Sequence, residues 1–179
     1  MILISGIHGA GKSYFCESVK TAFGFDTYSA SALIAERKKA GFARDKLIPD
    51  IDENQQYLVA AVQDLNAVNS LYLLDGHFCL LDKQEKVTRI PKDTFISINP
   101  DAIILLTEKP EIIASRRMQR DGINHHVESI SRFQDEEIAY AEEVSELLGI
   151  ALWISKGSAE LADTLGFVQS TMRRVGRVR

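Results

Sequence analysis

Cysteine is scarce in this chain of 179 residues: there are two, Cys16 and Cys79. That excludes a disulfide framework. Both lie in apolar sequence and read as buried free thiols, which suits a reducing cytoplasm. No run approaches the roughly 18 apolar residues that a membrane span requires. The opening apolar run is short and leads straight into glycines, unlike a secretory leader. An excess of positive charge is also missing. The net charge is −4, so bulk electrostatics favour neither nucleic acid nor anionic membranes. Only four prolines interrupt the chain, and repeats and low-complexity linkers are absent. Hydrophobic residues make up 45% and charged residues 26%, the mix of one globular domain spanning 1–179.

Short apolar runs alternate with helical patterns. MILIS, FDTYS, SLYLLD, DAIILLT and IALWIS read as strands. Between them, KSYFCESVKTAF carries apolar residues at helical spacing and stops at Gly24. Ser31 reads as the N-cap of ALIAERKKA, which Gly41 ends. NQQYLVAAVQDLNAV, EIIASRRMQR, VESISRFQDEEIAYAEEVSELLG and SAELADTLGFVQSTMRRV supply further helices. The stretch from His77 to Pro100 is polar and weakly periodic. Five strands interleaved with helices predict an α/β domain with a doubly wound, five-stranded parallel sheet. Ligands of such sheets bind at the carboxyl ends of the strands. Ser5, Asp75, Thr107 and Ser155 stand at those ends.

The segment GIHGAGKS, Gly6 to Ser13, fits G-x-x-x-x-G-K-[ST] without a gap. Its glycines let backbone N–H groups turn toward phosphate oxygens, and the helix beyond it presents its positive end. Lys12 supplies a cation for the β- and γ-phosphates, and Ser13 a hydroxyl for Mg²⁺. Gly9, Ala10, Gly11, Lys12, Ser13 and Tyr14 form the nucleotide-binding set. His8 reads as a solvent-facing position of the loop. Asp75 ends an apolar strand, where a carboxylate holds Mg²⁺ directly or through water. His77 shares its face and is a candidate for orienting an acceptor or a water, with a structural role open beside it.

A guanine-reading Asn/Thr-Lys-x-Asp is lacking; the chain has TEKP at Thr107 to Pro110. The helix after the fourth strand ends instead in RRMQR. Arg116 and Arg120 are i and i+4 and share a helical face before the loop DGINHH. Arginines entering a short loop suit a lid over residues 116–128 that clamps phosphates and excludes water. Residues 30–52 read as an acceptor region, with Ser29, Arg37, Arg44 and His77 as substrate-binding candidates. His125 and His126 are adjacent and lack metal-ligand spacing. The helix EEIAYAEEVSELL reads as a solvated acidic face. The tail 173–179, RRVGRVR, reads as a disordered basic terminus.

Together these residues resemble the nucleoside monophosphate kinases, and the archaeal-type adenylate kinases most. The resemblance rests on the P-loop, Arg44-Asp45 ahead of a long helix, Asp75-Gly76-His77, the stretch NPDAIILLTEKPEIIASRR and the acidic helix after the lid. It implies a P-loop kinase fold and transfer from ATP·Mg²⁺ to AMP. It implies donor-phosphate roles for Gly9, Gly11, Lys12 and Ser13, a place near Mg²⁺ for Asp75, and lid roles for Arg116 and Arg120. The adenine of ATP would pack near those arginines and the loop around Gly157. The chain departs from the pattern at His8, where such kinases often carry proline. The alternative reading is a slow ATPase acting as a nucleotide-dependent RNA- or protein-interaction factor, carried by the basic tail. A third keeps the kinase chemistry with another small-molecule acceptor.

Overall fold

A computed structural model describes residues 1–41, 51–69, 71–81 and 86–178. Five short strands build the sheet: β1 (Ile2–Ser5), β2 (Asp26–Ser29), β3 (Tyr72–Asp75), β6 (Ala102–Thr107) and β7 (Ala151–Lys156). Their order is β2-β3-β1-β6-β7, and every pairing is parallel. Strand β1 is therefore central, with β3 on one side and β6 on the other. This is a P-loop NTPase fold: a doubly wound parallel sheet with helices on both faces.

The three inner strands, β3, β1 and β6, are buried on both faces, which is why they are continuous apolar runs rather than alternating ones; the edge strands β2 and β7 are half-exposed. Side-chain alternation still decides which layer each residue joins. Leu3, Tyr72, Leu74, Ile103 and Leu105 pack into one core with α3 (Ile51–Val68), α4 (Lys92–Ile98), α5 (Pro110–Asp121) and α6 (Val127–Leu148). Ile2, Ile4, Leu73, Ile104 and Leu106 pack into the other with α1 (Lys12–Phe23) and α7 (Leu161–Val178).

Four local expectations change. Helix α2 (Ala30–Gly41) starts before Ser31, so Ser31 lies inside its first turn; its hydroxyl stands 2.9 Å from the Ser29 hydroxyl. The weakly periodic stretch after His77 folds into an antiparallel hairpin, β4 (Cys79–Leu81) with β5 (Val87–Arg89), and then α4. Tertiary packing supplies what local pattern lacked: Phe78, Phe95 and Tyr140 form an aromatic cluster, and the Tyr140 hydroxyl donates to the Ile90 carbonyl at 2.5 Å. The basic tail is helical to Val178, because Met172 and Val175 are buried anchors of α7. The face of α6 is not merely solvated. Glu136 and Glu143 hold Arg89 of the hairpin, and Glu137 is buried.

Among the described residues, no helix is long and apolar enough to cross a membrane. Cys16 and Cys79 are buried free thiols, each pushed up to about 12 by burial.

Candidate functional site

The loop between β1 and α1 cannot carry side chains where its glycines stand. Gly6 has φ +140°, and a Cβ there would overlap the Leu106 carbonyl oxygen. Gly9, at φ +94°, packs so closely on α5 that a Cβ would sit 3.0 Å from Ile113. The loop thus wraps closely between β6 and α5. Lys12 folds back inside it and donates from Nζ to the Gly6 carbonyl at 2.6 Å. It is buried, with Asp75 Oδ1 3.8 Å away. Burial pulls the Lys12 pKa down, while Asp75 and Glu137 pull it back up. Asp75 is raised by burial and lowered by Lys12.

Helix α5 braces the loop from outside. Arg116 donates from Nη1 to the Gly9 carbonyl at 3.0 Å and pairs with Glu108 at 3.2 Å. Arg117, buried, donates from Nε to the His8 carbonyl at 2.7 Å. Of the arginines in RRMQR, which the sequence groups as a lid cluster, Arg117 is the one turned inward. Nothing in the local sequence marks it as inward, because the packing of Ile113 under Gly9 sets the helix's rotation. Arg120 is exposed and pairs with Asp121 at 2.9 Å. The expected lid is short: five irregular residues, 122–126, join α5 to α6. His125 lies 3.6 Å from Asp121 within it.

Two spaces meet at this loop. The larger is a cavity of about 860 Å³. It begins at Lys12, Ser13, Arg116 and Arg120 and extends past Asp75 and His77 beneath α2 and α3. Its far wall holds Ile34, Leu58, Phe95, Asn54, Gln55 and Lys38. Ser29 reaches it too; its strand neighbour across β3 is Asp75. The smaller space, about 350 Å³, lies on the other side of the loop. It is lined by Ala10, Gly11, Tyr14, Glu108, Arg116 and Gly157. At Gly157, φ is +79°, a backbone conformation that strains any other residue, and a Cβ would press on the Glu108 carboxylate at 2.9 Å. Ser13, Ser29 and Asp75 also line a third cleft of about 310 Å³ with Asp26 and Thr27.

Ser13 and Asp75 fit Mg²⁺. They supply a hydroxyl and a carboxylate, the hard oxygen donors that ion takes alongside water and phosphate. They face the same cavity as Lys12.

His77 lines the large cavity beside His8, with ring centroids 4.8 Å apart and the rings tilted by 52°. Burial, then Lys12 and His8, push its pKa down to about 3. It is a neutral imidazole at ordinary pH. Its Nδ1 has no hydrogen-bond partner among the described residues.

The acceptor candidates divide. Ser29 and His77 meet at the cavity. Arg37 does not line it: its guanidinium pairs with Asp64 and donates to the Ala60 carbonyl at 3.1 Å, tying α2 to α3. Lys38, one residue on, faces the cavity instead. Arg44 lies outside the described residues. Glu137 was missed altogether. It is 1% exposed and accepts from Ser5 Oγ at 2.5 Å, Phe78 N at 3.0 Å and Cys79 N at 2.7 Å.

A family model described as an AAA domain matches residues 5–134, the stretch from the end of β1 into α6. Among curated proteins, none matches the sequence. Solved structures share the fold over nearly the whole chain. One is a gluconokinase from Sinorhizobium meliloti 1021, with TM-score 0.55 and 18% identity, covering 97% of this chain and 91% of that one. Another is a sugar kinase from Janibacter sp. HTCC2649, with TM-score 0.57 and 15% identity, covering 97% and 96%. A third is an uncharacterized protein from Eubacterium ventriosum ATCC 27560, with TM-score 0.54 and 10% identity, covering 94% and 98%.

Proposed function

The chain belongs to the AAA domain family, and we propose that it is a phosphotransferase moving the γ-phosphoryl group of ATP to a nucleoside monophosphate, AMP foremost. One observation carries this reading: the 860 Å³ cavity that continues from Lys12 past Asp75 and His77. Hydrolysis needs room for a water. A cavity of this size, on the far side of the phosphate loop from the smaller space, has room for a second small molecule.

The donor's base and ribose fit the space between Tyr14, Arg116 and Gly157, and its phosphates fit the loop. Lys12 neutralises charge on the transferring group. Mg²⁺, held through Ser13 and Asp75, would supply further charge neutralisation at the phosphates. Arg116 and Arg120 border the cavity from the lid side, where guanidinium forks suit equatorial phosphate oxygens. Neutral His77 can accept a hydrogen bond and orient the attacking group without repelling Lys12. The archaeal-type adenylate kinase resemblance supports AMP as the first acceptor to test.

A second acceptor class has its own support. Arg37 is turned away from the cavity, and the far wall is largely apolar, with neutral amides at Asn54 and Gln55 and Lys38 as its one described cation. Two of the fold's neighbours are a gluconokinase and a sugar kinase. A hydroxyl-bearing acceptor without phosphate would suit such a wall. The deciding experiment is a panel of nucleoside monophosphates, nucleosides and sugar acids with ATP·Mg²⁺, resolved by product separation. AMP-dependent formation of ADP supports the first reading. Phosphorylation of a nucleoside or a sugar acid alone supports the second, and uniform slow ATP loss with every acceptor refutes both.

A further inference from the structure

Glu137 belongs to no step described so far, yet it is among the most enclosed carboxylates of the protein. Strands β1 and β3 stay paired as far as Gly76, whose N–H donates to the Ile4 carbonyl at 2.9 Å. Beyond that point the two chains part. One turns into the phosphate loop, and the other runs on through His77. Glu137 reaches into the fork from α6. Its Oε1 accepts from Ser5 Oγ at 2.5 Å and Phe78 N at 3.0 Å, and its Oε2 accepts from Cys79 N at 2.7 Å.

The partners are informative. Ser5 immediately precedes Gly6, the residue whose carbonyl holds Lys12 Nζ. Phe78 immediately follows His77. One carboxylate therefore ties the Ser5 hydroxyl, on one side of the centre where Lys12, Asp75 and His77 meet, to the backbone of Phe78 and Cys79 on the other. Three residues earlier on the same helix, Gln134 makes a second clamp. Its Nε2 donates to the Glu108 carbonyl at 3.0 Å, and its Oε1 accepts from Glu108 N at 3.1 Å. Glu108 pairs with Arg116 at the smaller space. Helix α6 thus grips both halves of the site with two side chains one turn apart.

Simple filling of the space would not call for an ion. A buried carboxylate carries a large desolvation cost, and an apolar core serves packing at least as well. A carboxylate offers geometry instead: two oxygens at a fixed spacing, accepting several donors at once. We propose that Glu137 is a positioning residue for phosphoryl transfer, fixing the His77 arm relative to the loop that carries Lys12. Its kinetic effect rests on the phosphotransferase reading; its effect on the backbone does not.

The test is Glu137→Gln in the full-length protein. The amide keeps one oxygen for Ser5 and Phe78 but turns an N–H donor toward the Cys79 N–H. The expected result has three parts. The kcat falls about 100-fold, the cost of a misplaced reacting group. KM for ATP stays within about twofold, since the phosphate cradle is intact. The melting temperature falls by no more than a few degrees, the cost of one opposed pair of buried donors, while hydrogen exchange rises at Cys79 and its neighbour Phe78 without spreading through the sheet. Ser5→Ala, which cuts the carboxylate's hydrogen bond to the loop side and leaves both backbone N–H bonds in place, should lower kcat by about 10-fold with exchange at Phe78 and Cys79 unchanged. Faster exchange at Phe78 and Cys79 with wild-type kcat would overturn the proposal. So would kcat and melting temperature falling together with exchange rising across the whole sheet, the mark of a purely structural role. Should Glu137→Gln not fold, Glu137→Asp keeps the charge at shorter reach and is read by the same criteria. If the wild-type protein transfers phosphate to no acceptor, the phosphotransferase reading falls. The rate of ATP hydrolysis then reads the same variants by the same criteria.

Discussion

At the scale of the residue, small groups do much of the positioning. Gly6 is fixed by the Leu106 carbonyl behind it. Gly6→Ala should cost about 1–3 kcal/mol of stability for the strained backbone alone, with nucleotide binding lost as well. Urea unfolding and titration with a fluorescent ATP analogue check this. His77 makes a pH prediction. Its pKa is pushed down to about 3 in the folded chain, against roughly 6.5 when unfolded. Below pH 6.5 the unfolded chain therefore binds more protons than the folded one. The stability tied to His77 is complete above pH 6.5 and is lost as pH falls toward about 3. His77→Asn, which cannot titrate, should flatten that part of the stability curve in urea unfolding at stepped pH. An undiminished slope would show that His77 is not held neutral.

The phosphate loop and Asp75 were legible as residues, since motif and strand end lie in consecutive sequence. Arg37, Arg117 and Glu137 were not. A charged side chain reads as solvated unless its partners are known, and these partners lie far along the chain. Arg117 meets His8, and Glu137 meets Ser5 and Phe78.

At the scale of the element, α5 and α6 act on the site from opposite sides. Helix α5 presents Arg116 and Arg117 to successive carbonyls of the loop, Gly9 and His8. Arg117→Met keeps the stem's packing and removes one charged hydrogen bond, worth about 1.5–3 kcal/mol. Part of that loss should fall on the bound state. KM for ATP is expected to rise by about tenfold with a smaller change in kcat, measured by initial rates across ATP concentration. The strands and most helices were readable because buried parallel strands and amphipathic helices have distinct periods. The hairpin and α4 were not, because their residues are placed by contacts with α6 and, for α4, with α3. Arg89 bonds to Glu136 at 2.6 Å and to Glu143 at 2.8 Å, and its guanidinium lies over Tyr140.

At the scale of the whole molecule, the sheet order places β1 in the centre and its loop at the junction of two spaces. The proposed function puts a nucleotide's base end in the smaller space and an acceptor in the larger one. Alternating strands and helices were enough to foresee the parallel five-stranded sheet and its flanking helices. The acceptor's identity was not, because the cavity wall is assembled from β2, β3, α2, α3 and α4 and no contiguous stretch encodes it. The thiols fit the same picture of a closed core. Cys16 and Cys79 should resist an aromatic disulfide reagent in the native protein and react fully once it is unfolded. Absorbance of the released thiolate reports this.

The central claim is transfer rather than hydrolysis, and the direct measurement tracks the γ-phosphate of ATP. Protein, ATP·Mg²⁺ and each acceptor in turn are incubated, and phosphorylated acceptor and free phosphate are separated and counted. The account predicts that label enters one acceptor class, AMP foremost, far faster than it enters free phosphate, and that Lys12→Ala abolishes this. Label appearing only as free phosphate, at one slow rate whatever the acceptor, would contradict it.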